Sequence, residues 1–155
     1  MLMGIEIPSG QGNTIFSSGF NAYEKLPAKI KDRIKDAKGI FSSAGPISVT
    51  RLEREKEMGI KSSESMEAEH PIVKTVCGKK TLYVSPGHLM KIKNVKEEDA
   101  DYLKNYLIEH VNKQEFIFSY EWSKGDICLW DNLSILHMAS EIKNCKRIMH
   151  RITIK

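Results

Sequence analysis

Three side chains near the end of the chain have types and spacing that could do chemistry. His137 follows the strand-like run "DNLSIL", and Arg147 and Arg151 come ten and fourteen residues later, among Ile148, Met149, Ile152 and Ile154. A neutral imidazole can ligate a metal, and a guanidinium can grip a carboxylate with two parallel hydrogen bonds. On a strand, residues four apart share a face, about 13 Å apart by the strand rise. Turned inward, two buried guanidinium groups would call for carboxylate-type ligands, because an unpaired buried cation costs several kcal/mol. Turned outward, they would be solvated or paired with Asp or Glu, and spacing alone leaves both readings open. His137 likewise reads as a ligand or as a hydrogen-bonded structural residue. His150 shares a face with Ile148 and Ile152 and reads as structural.

The rest of the chain must position these residues. "MLMGIEI" reads as a strand, "PSGQGN" as its turn and "TIFSSG" as a second strand. "FNAYEKLPAKIKDRIKDAK" has helical period with a break at Pro27, Ile30 and Ile34 give its second part a core face, and Gly39 is the expected stop. Residues 44–69 are charged and read as a mobile or partly helical excursion. "HPIVKTVCGKKTLYVSP" reads as a hairpin turning at Gly78-Lys79-Lys80. Asn94 and Glu97 suit a capping box for a helix with Leu103, Tyr106, Leu107 and Val111 on one face. Strand-like runs "EFIFSYEW", "DICLWD" and "KRIMHRITIK" follow, and the last reads as buried. Many strands beside few helices, without βα alternation, predict a mostly antiparallel β assembly with peripheral helices.

Bulk properties narrow the class. The 155 residues suffice for a single domain, 1–155, with a core, and 41% hydrophobic with 28% charged content is ordinary for a globular protein. A net charge of +4 from interleaved signs gives no clustered basic face and predicts no nucleic-acid partner. No apolar run approaches about 18 residues, which predicts no membrane span. Cys77, Cys128 and Cys145 lack CxxC spacing and read as reduced, buried small hydrophobes in a cytoplasmic protein.

The stretch "GDICLWDNLSILHMAS…KRIMHRITI" resembles the C-terminal signature of the taurine dioxygenase (TauD/TfdA-like) family of iron(II)- and 2-oxoglutarate-dependent dioxygenases. "EIPSGQGNTIFSSGFNAYEKLP" is similar to that family's Gly-rich turn, Thr-containing strand and Ala-Tyr-Glu helix, and "HPIVKTVCGKKTLYVS" to its His-Pro hairpin. The resemblance spans nearly the whole chain, weakest at residues 44–68. It implies a double-stranded β-helix (a cupin-like jelly roll), incomplete at the N-terminus. It also implies Fe(II) and 2-oxoglutarate as cofactors, and hydroxylation of a small anionic substrate with decarboxylation of 2-oxoglutarate to succinate. By position, His137 matches the distal iron-ligating histidine. Arg147 and Thr14 match the residues that hold 2-oxoglutarate. Arg151 matches the arginine that meets the substrate anion, and Phe41 an aromatic residue of the substrate pocket.

The sequence departs from the family at the metal. The family's facial triad takes its first histidine and its carboxylate from a His-x-Asp or His-x-Glu motif. Here the residues two after each histidine are Ile72, Met90, Asn112, Ala139 and Ile152. Two of three iron ligands are therefore missing. A triad built from His70 with Glu67 and Glu69 is disfavoured, because the family's His-Pro element serves structure. The resemblance implies that Met1 opens the chain beyond the metal motif, as an internal start, a split gene or a diverged remnant would. Alternatives to enzyme function are a catalytically inactive remnant and a binding or assembly module, partnered by a second copy or by a complementing N-terminal chain.

Overall fold

A computed structural model describes residues 1–45, 56 and 65–154. Most of the expected excursion (46–55 and 57–64) lies outside the described residues. Its C-terminal end is a strand, Glu67–Pro71.

The regular elements with both ends among the described residues are eleven strands, three α-helices and a 3-10 turn (Gln114–Phe116). The sheet that carries the site joins β2 (Thr14–Ser18) to β8 (Ile117–Tyr120) on one side and β10 (Ile135–Ala139) on the other, all antiparallel. A second sheet sets β1 (Leu2–Glu6) between β9 (Ile127–Cys128) and β11 (Ile148–Arg151). The third sets β3 (Lys38–Ser42) between β4 (Glu67–Pro71) and β7 (Leu89–Lys93), and β5 (Val73–Val76) and β6 (Lys79–Leu82) form a hairpin.

Helices α1 (Gly19–Glu24), α2 (Ala28–Ile34) and α3 (Glu97–Val111) supply one side of the core. The Ser18 hydroxyl caps α1 by accepting from the Asn21 N–H at 3.2 Å. Pro27 has an extended backbone that ends α1 and starts α2, and its carbonyl accepts from the Ile30 and Lys31 N–H groups. Leu103, Leu107 and Val111 repeat at helical spacing and are fully buried beside Ile34, Ile72 and Leu82. Tyr106 stays half-buried at the margin.

Four local expectations are corrected. Helix α2 ends at Ile34, and Gly39 instead lies within β3, where a Cβ would stand 2.6 Å from the Phe41 ring and 2.7 Å from Leu89. Gly39 is a packing requirement of the sheet, not a helix stop. The hairpin turns at Cys77-Gly78, both left-handed (φ 48° and 76°), which is the two-residue turn that matches strand twist. Lys79 and Lys80 already belong to β6. Helix α3 starts from Lys96 without a side-chain cap, because Asn94 is left-handed and donates to the Asp36 carbonyl at 3.4 Å. Three acidic residues in its first turn interact favourably with the helix dipole instead. The cysteines are free but not buried: Cys77 and Cys145 are exposed and Cys128 is half-buried.

Candidate functional site

Thr14 opens β2 and is buried, facing the same way as Phe16 two residues on. On the neighbouring strand His137 is paired with Phe16, and Ala139 with Thr14. Thr14 and His137 therefore project from one face of the sheet, on adjacent strands. The buried Trp122 indole N–H donates to Thr14 Oγ1 at 2.9 Å. Arg147 Nη2 approaches the same oxygen at 3.5 Å, the outer limit of a hydrogen bond.

Arg147 is half-buried, and burial lowers its affinity for the proton from the ordinary arginine value. Its Nε is buried and has no hydrogen-bond partner. Among the described residues no carboxylate pairs with Arg147 or Arg151. The arginines thus fit neither half of the sequence alternative cleanly. Arg147 is unpaired and turned in, while Arg151 is exposed.

The reason lies in the strand. β11 is an edge strand, paired with β1 alone, and it begins at Ile148, so Arg147 belongs to the preceding loop. The expectation of a buried final strand is corrected: Ile148 and Met149 are half-buried, and His150, Arg151, Ile152 and Ile154 are exposed. Among the described residues no strand pairs with the outer side of β11.

His137 is exposed overall, but its ring packs against Trp130, with centroids 4.8 Å apart. Loss of hydration there holds its pKa below the ordinary histidine value, and the positive charges of Arg151 and the N-terminus push the same way. Both effects favour the neutral imidazole, the form that ligates metals. His137, Arg151 and Asn132 border two clefts. One, of about 570 Å³, is walled by Phe41, Tyr83 and His70, whose rings pack on one another at 5.3–5.8 Å. The other, of about 520 Å³, is walled by Met1, Trp130 and Ile154. Phe41, buried in β3, is thus brought to the same cleft as His137 and Arg151.

The donor set takes one implied group and not the other. A carboxylate suits the Arg147 guanidinium, whose buried Nε has no hydrogen-bond partner, beside the Thr14 hydroxyl. Iron does not suit the described residues. Among them no three His, Cys, Asp or Glu side chains come together as a metal-binding group, and His137 has no carboxylate or imidazole beside it to make a facial triad. His70 is held in the aromatic wall, and it does not assemble with Glu67 and Glu69 into a substitute.

Sequence reasoning missed Trp122, Trp130 and Gly12 as parts of the site. Trp122 ends the "FSYEW" run and Gly12 sits in the Gly-rich turn, but only the three-dimensional pairing puts them against Thr14 and Arg147.

The sheets define a mostly β protein of jelly-roll type. The chain belongs to the taurine catabolism dioxygenase TauD, TfdA family, whose model matches residues 1–153. Enzymes of this family depend on Fe(II) and 2-oxoglutarate. An alkylsulfatase of Acinetobacter baylyi is 32% identical, over 99% of this chain and 51% of its own length. An alpha-ketoglutarate-dependent sulfate ester dioxygenase of Pseudomonas putida is 27% identical, over 99% of this chain and 54% of its own. The crystal structure of a taurine dioxygenase from Burkholderia xenovorans superposes with a TM-score of 0.77 at 27% identity, covering 96% of this chain and 48% of that one. The chain spans about half the length of the curated relatives it matches. No described helix is long and apolar enough to cross a membrane.

Proposed function

We propose that this chain is the 2-oxoglutarate-holding part of a dioxygenase-family protein, and that the described residues alone bind the dicarboxylate without turning it over. The observation that carries this reading is Arg147: a half-buried guanidinium with an unpartnered Nε, beside a buried threonine and away from any described carboxylate. Arg147 would take one carboxylate of 2-oxoglutarate through its planar fork. Trp122 fills an acceptor position of Thr14 Oγ1, which leaves the Thr14 O–H free to donate to that carboxylate. Arg151, exposed at the mouth of the cleft shared with Phe41 and His137, would meet the anionic end of a substrate. The sulfate-ester and taurine chemistry in the names of its relatives makes a sulfate, sulfonate or carboxylate the fitting anion.

His137 is the one residue of the site that suits iron, and the described residues do not complete its coordination. No step of oxygen chemistry is therefore assigned to them. The second reading, full hydroxylation with formation of succinate, is favoured by the shared cleft that puts His137 beside Arg151. The two readings separate in one assay. With ferrous iron, ascorbate and 2-oxoglutarate, the first predicts binding and no succinate above background, and the second predicts succinate. Arg147→Ala should weaken 2-oxoglutarate binding by about 2 kcal/mol, roughly 30-fold, through loss of a charge-assisted pair. An unchanged dissociation constant would remove Arg147 from that role.

A further inference from the structure

Arg147 stands on a loop, so something outside a strand ladder must hold it in place. Two hydrogen bonds, one to a side chain and one between backbones, join that loop to the turn before β2. The Lys143 N–H donates to Gln11 Oε1 at 2.8 Å, and the Ser140 N–H donates to the Asn13 carbonyl at 2.9 Å. Between these ties lies Gly12, left-handed at φ +72°. A Cβ there would stand 2.7 Å from Arg147 Cδ, 3.1 Å from its Nε and 3.4 Å from Ile142. Gly10, two residues earlier, is equally left-handed at φ +67°, yet a Cβ there would meet nothing within 4 Å.

We infer that Gly12 is a positioning residue for Arg147: its missing side chain is the seat in which the arginine stem lies. The stem is flexible, so a methyl at position 12 would be relieved by displacing Arg147 rather than by unfolding the turn. The guanidinium would then leave Thr14, and the carboxylate site would lose its fork. For ligand binding, this seat matters only if Arg147 is the proposed 2-oxoglutarate grip. The seat itself can be tested without it.

Gly12→Ala should weaken 2-oxoglutarate binding about 10-fold or more, the scale of losing a hydrogen-bonded charge. Gly10→Ala should change it by less than about twofold, though it bears the same left-handed backbone penalty. Gly12→Asn separates strain from contact, because asparagine tolerates left-handed φ while still carrying a Cβ. It should behave like Gly12→Ala. In an Arg147→Ala background, Gly12→Ala should add less than about twofold, as expected of two changes acting on one contact. A ligand-free readout accompanies these. Phenylglyoxal modification of Arg147, located by mass spectrometry and referenced to Arg151 in the same protein, should speed up in both Gly12 variants and not in Gly10→Ala. If the parent chain binds no 2-oxoglutarate, the functional reading fails and the modification rates still decide the seat. Equal Arg147 reactivity in the parent and the Gly12 variants would overturn the inference, as would Gly12 and Gly10 variants that bind alike.

Discussion

At Arg147 a charge has given up part of its water without gaining a described acid partner. That arrangement is unfavourable in the free protein, and on the proposed reading a carboxylate would relieve it, which is how a binding site would differ from a structural ion pair. Trp122 acts on the same point from behind. Its indole orients Thr14, so Trp122→Phe should cost about 1 kcal/mol of stability in a denaturant melt, by leaving a buried hydroxyl short of one bond. The same variant should weaken 2-oxoglutarate binding, while Trp130→Phe, on the His137 side, should leave it near the parent value. The sequence makes His137, Arg147 and Thr14 legible as candidates because chemistry restricts which side chains can serve. Trp122 and Gly12 are not legible in that way. An indole donor and a missing Cβ acquire meaning only from what lies across the sheet, 108 residues away for the Trp122–Thr14 pair.

Among the elements, α3 and the β4–β3–β7 sheet carry separate loads. Leu107 is fully buried on α3, so Leu107→Ala should destabilise by about 2–5 kcal/mol through lost burial and a residual cavity, read from chemical denaturation. Glu69 on β4 bridges Lys38 of β3 at 2.9 Å and Lys93 of β7 at 3.3 Å, and hydrogen bonds to these lysines hold its carboxyl below the ordinary value of 4.5. A depressed carboxylate pKa contributes stability that is present above 4.5 and lost as pH falls through the folded-state value. Glu69→Gln should therefore give a small loss at neutral pH that disappears in acid and in high salt, seen by comparing melting curves across pH. An equal difference at every pH would contradict the role. The period of α3 could be read in sequence because it follows from local side-chain direction. The Gly39 stop and the buried last strand were misread because both depend on partners distant in sequence. Gly39 is fixed by contact with Leu89, and β11 is an edge because, among the described residues, β1 alone pairs with it.

Across the whole molecule, the described residues fold as part of a TauD-type jelly roll, and on the proposed reading they supply its acid-binding side while bringing no further ligands to His137. Three motifs in family order made the fold legible, since such order is specific even where identity to relatives is near 27–32%. The absent His-x-Asp or His-x-Glu motif was equally plain in the sequence, and the described residues bring no other ligands to His137. What the sequence left open was the split between the two arginines, one held inward by a loop and one standing at the cleft mouth. The central claim is that a metal-free chain already owns a carboxylate grip. Isothermal titration of the purified chain with 2-oxoglutarate, in buffer stripped of divalent ions, tests it most directly. The account predicts saturable one-to-one binding that Arg147→Ala weakens by roughly 30-fold. No heat of binding, or the same isotherm from the parent and Arg147→Ala, would contradict it.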